Sequence, residues 1–265
     1  MKINFNTNNE FTGIDSLPQA IAQAVAAVKS QPASSDLRMR LFKLYCLQAD
    51  WDRALRQLDI VEKTDDDTQR QCELFKNLIL SERLRQLVLA GQREAGNLGD
   101  ALPEWCELLN KANGFYHEGE ATKGEEYRHR ALEAATAMSG KSEGLETFDW
   151  IADGDDRLGP VCEFIFAGGY RWVPFSDIEV LNVEKPTSLT DLIWAPATVV
   201  VKGQTHKGYI PSRYPLNSES DVSLLTGSRT EWQESESDRY IGQGRKMWVS
   251  SSGECSLFEA GEISI

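Results

Sequence analysis

The stretch FDWIADGDDRLGP, Phe148 to Pro160, sets four aspartates (Asp149, Asp153, Asp155 and Asp156) among aromatic and apolar neighbours. Carboxylates at that density hold a metal, do acid–base chemistry or tie down a loop. A calcium loop of the EF-hand kind needs oxygen ligands at alternate positions, a central glycine and a distal bidentate Glu. Counted from Asp149, Gly154 falls at the sixth position, but Ile151 takes the third and Pro160 the twelfth, so that loop is not formed. A DGD alone seats Mg²⁺ only with a substrate phosphate beside it, and no phosphate cradle accompanies this one. The glycines of GQREAGNLGD (91–100) are not followed by the Lys-Ser/Thr of a Walker loop. A paired-carboxylate hydrolase on Asp153 with Asp155 or Asp156 requires environments that push their pKa values apart, and the spacing in space decides it. The structural alternative uses the same residues. Asp side chains close turns and cap helices, Gly154 is permissive, and DGDDRLGPVCEFI then reads as a turn, an N-cap and a helix with Pro160 in its early part. Arg157 is placed to pair with Asp155 or Asp156.

Other chemistry is weaker. His117 in YHEGE has Ala121 four residues on, so it is not the HExxH of a metalloprotease; His129 sits in a charged helical run, and His206 in GQTHKG reads as a hairpin tip. SSSGE (250–254) lacks the strand–turn–helix context of a serine elbow. The five cysteines (Cys46, Cys72, Cys106, Cys162 and Cys255) form no CxxC and no zinc spacing with the histidines. They read as buried, reduced thiols, and no cofactor or metal is expected.

The elements that must position these residues change character near residue 140. Before it the chain reads as helices. SLPQAIAQAVAAVKSQP opens with Ser16 and Gln19 in a capping-box arrangement. Leu37, Leu41, Leu44 and Tyr45 make one stripe, and Ala54, Leu55, Leu58 and Val61 another. The link QADWDRA between them has the spacing of a tetratricopeptide turn: Ala49 closes one helix, Trp51 packs between helices and Ala54 permits close contact. A weaker echo runs through Trp105, Leu108, Leu109, Ala112, Gly119, Ala131, Leu132 and Ala135, after a strong helix capped at Gly91. From SGKSEG (139–144) onward, YRWVPF, IEVLNV, ATVVVKG, HKGYIP and KMWVSS read as short strands, with PVCEFIFAGG as one short helix stopped by Gly168 and Gly169. The expected fold is α+β: a TPR-like helical array over residues 1–140, then a smaller mainly-β domain over 141–265 with a short helix.

The charge balance narrows the partners. Of the formal net charge of −13, residues 1–140 carry 17 Lys/Arg and 21 Asp/Glu, residues 141–265 carry 11 and 20. An acidic surface without a basic stripe disfavours nucleic acid and anionic membranes. The opening MKINFNTNNEF has no apolar signal region. What remains is a surface for a protein partner, because a helical array leaves one face open to peptides or helices. Trp51, Trp105 and Tyr116 are the candidate anchors, the competing reading being that each fills space between helices.

FDWIADGDDRLGP, followed by GGYRWVPFSDI, PTSLTDLIWAP, GYIPSRYP and SRTEW, resembles the ImpE family, also called SciE-type or TagJ proteins, accessory components of bacterial type VI secretion systems. The resemblance spans essentially the full chain and is most specific from Phe148 to Trp232. It implies a cytoplasmic protein without recognised catalytic activity that associates with the contractile sheath through an N-terminal helix of its small subunit TssB, with a link to sheath handling by the ClpV ATPase. No catalytic residues carry over. The motif positions Asp149, Trp150, Asp153, Gly154, Asp155, Arg157, Gly159, Pro160, Trp172, Pro174, Trp194, Pro196, Arg213, Tyr214 and Trp232 mark a shared scaffold or a shared surface. The rival expectation is a metal- or carboxylate-dependent hydrolase around Asp149, Asp153 and Asp155 with Arg157 and Arg213. A third is a brace of the sheath apparatus without a peptide groove.

Overall fold

The structure, a computed structural model, describes residues 16–99, 101–235 and 239–265; the opening segment read for an export signal lies outside them. Six helices come first: α1 (Leu17–Ser30), α2 (Ser35–Leu47), α3 (Trp51–Thr64), α4 (Gln69–Leu89), α5 (Glu104–His117) and α6 (Ala121–Ala134). A two-residue strand, β1 (Gly96–Asn97), interrupts them. Thirteen strands follow: β2 (Gly140–Ser142), β3 (Glu146–Phe148), β4 (Ile151–Asp153), β5 (Val161–Phe166), β6 (Gly169–Pro174), β7 (Ile178–Val183), β8 (Trp194–Val201), β9 (Gln204–Pro211), β10 (Thr230–Glu234), β11 (Tyr240–Gly244), β12 (Met247–Ser250), β13 (Gly253–Ser256) and β14 (Glu262–Ser264), with a one-turn α7 (Val222–Leu225) before β10. The fold is α+β.

The helices form antiparallel neighbours because their turns are chemically specified. Asp50 caps α3 by accepting the Arg53 N–H at 3.0 Å, and Ala49 before it takes φ 58, the left-handed turn that closes α2. Ser34 caps α2 in the same way through the Leu37 N–H. Ser16 precedes α1, but its side chain makes no capping bond, so the expected capping box is not formed there. At the end of α4, Gly91 has φ 74 and the Gln92 N–H returns to the Leu87 carbonyl at 2.9 Å, the glycine-closed ending read from the sequence.

The strands make a nine-stranded sheet in the order β1-β6-β5-β9-β8-β7-β14-β2-β3, a three-stranded sheet β13-β12-β4 and a separate two-stranded arm, β10-β11. One expectation is overturned. PVCEFIFAGG is not a helix: Val161–Phe166 is β5, and Ala167 (φ 48) with Gly168 (φ 73) makes a two-residue hairpin turn into β6. Positive φ at both turn residues matches the twist of the flanking strands. The misreading has a physical cause, because a strand buried on both faces reads as an unbroken apolar run and carries no period. By the same turn geometry the hairpin tip after β8 is Lys202–Gly203, and His206 lies within β9 beyond it.

Alternate residues of β5 enter two cores. Val161 and Ile165 join the helices in one apolar cluster, together with Tyr170, Trp172, Leu189, Leu192 and Trp194. Cys162 and Phe164 face the second cluster, between the large sheet and β12. The helices and the sheet therefore share a core, and β1 adds an edge strand to the sheet from within the helical region. All five cysteines are free and buried; burial pushes the Cys106 and Cys255 thiols up to about 12, leaving them unreactive as nucleophiles. No helix of the described residues is long and apolar enough to cross a membrane.

Trp194 is the test of the shared core. Its ring is buried at the start of β8 and lies 5.8 Å from that of Trp51 on α3. Trp194→Ala is expected to cost about 3–5 kcal/mol of unfolding free energy, measured by denaturant titration, and to lower both helical and sheet signals in one transition.

Candidate functional site

Glu163 stands on β5 in the row that faces the helices, between Val161 and Ile165, and it is buried. A carboxylate there needs cations brought to it. Arg85 of α4 supplies a two-bonded fork, Nε to Oε1 at 2.7 Å and Nη2 to Oε2 at 2.9 Å, while its third nitrogen bonds Glu82 at 2.9 Å. Lys246, just before β12, puts Nζ 2.7 Å from Glu163 Oε2 and 2.5 Å from Asp153 Oδ2. The Tyr170 hydroxyl donates to Glu163 at 2.6 Å and accepts from the Trp172 indole at 2.9 Å.

The network continues into the aspartate-rich stretch. Asp153 accepts from the Tyr214 hydroxyl at 2.9 Å and from the Asp155 N–H at 3.0 Å. Asp155 is held by the Arg157 guanidinium at 2.8 and 2.6 Å, and by the main-chain N–H groups of Arg157 and Gly242. Of the two pairings open in the sequence, Arg157 takes Asp155. Asp156 is taken instead by the arm: its N–H donates to the Tyr240 carbonyl at 3.0 Å and its carboxylate accepts the Tyr240 N–H at 2.6 Å, with Arg128 of α6 at 3.3 Å. Gly154 lies beneath the arm, where a Cβ would come within 2.6 Å of the Trp232 ring. The stretch is thus a turn leading into a strand, and no helix follows it.

Charge states follow from these contacts. Burial alone would raise Glu163, but Arg85 and Lys246 overcome it and hold this carboxyl well below the usual carboxylate range. Asp153 is the second carboxylate around the same ammonium; burial outweighs the attraction of Lys246 and pushes it up to about 6. Arg213 makes no ion pair among the described residues. It donates to the Cys46 and Leu47 carbonyls at the end of α2, at 2.9 and 2.7 Å, and to the Leu225 carbonyl of α7, and burial lowers it to about 10.

The apolar feature beside this scaffold is a groove of about 630 Å³ between the end of α6, the aspartate-rich stretch, the arm and the β12–β13 edge. Eight large apolar side chains are exposed among the described residues, and four of them line it: Leu132 (37%), Trp150 (42%), Trp232 (38%) and Tyr240 (47%). The sequence-derived candidates divide accordingly. Trp150 and Trp232 are groove walls, and Asp149 is exposed beside them with its N–H bonded to Ser251. Asp153, Asp155, Arg157, Trp172, Trp194, Arg213 and Tyr214 belong to the scaffold. None of the three helical anchors reaches the groove. Trp105 is buried at 6% exposure, Trp51 is covered by Trp194, and Tyr116 carries the Arg239 guanidinium 3.7 Å above its ring and donates to Glu125 at 2.5 Å. Sequence reasoning missed Glu82, Arg85, Glu163, Lys246 and the tether at Asp156. The available signal was a lone carboxylate in the apolar run VCEFIF; Arg85 carried none, because α4 also holds Arg70, Lys76 and Arg83.

Residues 146–264 match the family described as ImpE protein. Over 249 residues the chain is 34% identical to the type VI secretion system accessory component TagJ of Pseudomonas aeruginosa, covering 93% of this chain and 86% of that protein. The fold is similar to the crystal structure of protein VPA1032 from Vibrio parahaemolyticus, with a TM-score of 0.84 at 23% identity, covering 94% of this chain and 93% of that one.

Two measurements test the network. Glu163→Gln leaves Arg85 and Lys246 buried with one carboxylate fewer, and is expected to cost about 3–5 kcal/mol by denaturant unfolding. Asp153→Asn reads the raised carboxyl. A folded-state value near 6, against about 3.9 unfolded, means that the folded wild type holds the extra proton between those values. Wild-type stability then falls as pH rises from about 4 to about 6, relative to a variant without that proton. The advantage of wild type over Asp153→Asn should therefore be greatest at pH 4 and shrink to its lower plateau above pH 6. A difference flat in pH would remove this assignment.

Proposed function

The chain belongs to the ImpE/TagJ family of type VI secretion accessory components, and on that premise we propose that it is a non-catalytic, cytoplasmic adaptor that binds one helix of the small sheath subunit TssB. The observation that carries the proposal is the groove: half of the exposed large apolar side chains among the described residues gather in one concavity, rimmed by two Trp and a Tyr. Apolar patches of this kind mark interaction sites, and an amphipathic helix fills such a groove through i, i+3, i+4 and i+7 side chains. The walls favour a helix over an added strand. β4 is three residues long, and the Asp153 N–H on it is already bonded to the Gly159 carbonyl at 2.7 Å, so little edge is left for strand addition.

A binding role needs no active site, and the bonding of the carboxylates supports one. Asp153 is committed to Lys246, Tyr214 and a main-chain N–H, and Asp155 to Arg157 and two main-chain N–H groups. We carry the division at residue 140 as part of the same reading, with a TPR-like helical unit, a mainly-β unit and the partner site where they meet. The left-handed Ala49 turn and the α2–α3 and α5–α6 hairpins support the repeat-like character of the first unit. In this proposal TssB binding serves sheath assembly or ClpV-linked disassembly, ClpV being reached through the bound sheath subunit.

Isothermal titration with the TssB N-terminal helix peptide tests it. Binding is expected at tens of micromolar or tighter. Trp150→Ala and Trp232→Ala should each weaken it about 30-fold, the roughly 2 kcal/mol of an interface hot spot, while Trp51→Ala should reduce stability and leave the affinity of the folded protein unchanged. No heat at about 100 µM peptide would sink the proposal.

A further inference from the structure

The groove has a charge as well as a shape. Three acidic residues line it, Asp153, Asp156 and Glu254; no Lys, Arg or His contributes to its surface. Asp153 is neutralised inward by Lys246, and Asp156 is bonded to Tyr240 and Arg128. Glu254 is exposed on β13 and makes no ion pair among the described residues. Carboxylates also neighbour two wall residues in the chain: Glu133 follows Leu132, and Asp149 precedes Trp150, both exposed and without an ion pair among the described residues. The cations near the site are engaged elsewhere. Arg128 is held by Glu125 and Asp156, Arg157 by Asp155, and Arg239 lies over Tyr116.

Resting on the helix-in-groove reading above, we infer that the occupant is an amphipathic helix whose apolar stripe is bordered by Lys or Arg. The apolar face meets Leu132, Trp150, Trp232 and Tyr240, and the bordering cations meet Glu254 in the groove wall and the exposed Asp149 and Glu133 beside Trp150 and Leu132 in the chain. The apolar contacts supply the affinity, because rim charges in water are worth little singly. The carboxylates supply selection and encounter rate, repelling a helix with acidic borders and steering a basic one.

Two synthetic helices of about 18 residues, or about 27 Å, separate the possibilities. Both carry the same Leu stripe at i, i+3, i+4 and i+7; one has Lys on each border, the other Glu. Titrated into the full chain at about 50 mM salt, the Lys-bordered peptide should bind at least about tenfold more tightly. The gap should close at about 1 M salt, where screening acts within about 3 Å. The triple variant Glu133→Lys, Asp149→Lys, Glu254→Lys alters exposed side chains only, and it should reverse the preference while thermal unfolding is unchanged. Equal binding of both peptides would overturn the charge rule and leave the groove reading standing. Binding of neither would overturn both. A preference for the Lys peptide that survives the triple variant would also overturn the rule, since the rim named here would not be its source.

Discussion

A carboxylate on the helix-facing side of a central strand is the constraint from which the rest of the molecule follows. Glu163 lies between apolar residues of a shared core, and in that position it is tolerable only if cations reach it from elsewhere in the chain. Arg85 arrives from α4 and Lys246 from the approach to β12. These two contacts fix the helices against the large sheet and the large sheet against the small one. Lys246 then orders Asp153, the turn from Asp153 to Arg157 orders the arm through Gly242 and Tyr240, and the arm presents Trp232. Buried ion networks are poor evidence of net stability, since well-packed apolar side chains often do as well. What this one supplies is alignment: a mismatched arrangement leaves a bare charge inside the protein.

The aspartate-rich stretch is therefore two things at once. Its inward residues are joints of the scaffold, and its outward residue Trp150 is part of a wall. Asp153 and Asp155 look like chemistry in the sequence because catalytic and structural carboxylates share the same surroundings of burial, arginine and main-chain N–H groups. In this structure the oxygens of Asp153 and Asp155 are bonded to internal partners.

Much of the architecture was legible because helices and half-buried strands leave periods in the sequence. Leu41, Leu44, Ala54, Leu58 and Val61 are buried as their spacing required, and the short runs after residue 169 are strands. β5 was not legible, because burial on both faces erases the alternation that distinguishes a strand from a helix. The helical anchors carry a related ambiguity. An aromatic residue at a repeat turn has the same sequence signature whether its ring faces solvent or, as with Trp51, is roofed by a tryptophan 143 positions later. The groove was invisible because its walls come from Leu132, Trp150, Trp232 and Tyr240, which no local pattern connects; only the folding of the arm onto Asp155 and Asp156 brings them together.

The distance along the chain between Arg85 and Glu163, 78 residues, has a consequence for synthesis. Translation proceeds at about 5–20 residues per second, so Arg85 is synthesised roughly 4–16 seconds before its partner Glu163. During that interval Arg85 lacks Glu163, Trp51 has no Trp194 above it and the carbonyls at the end of α2 lack Arg213. The nascent array must wait with its sheet-facing side wet, and its final packing is timed by the arrival of β5, β8 and the segment after β9. A chain cut short before those strands exposes the apolar side that completed copies bury.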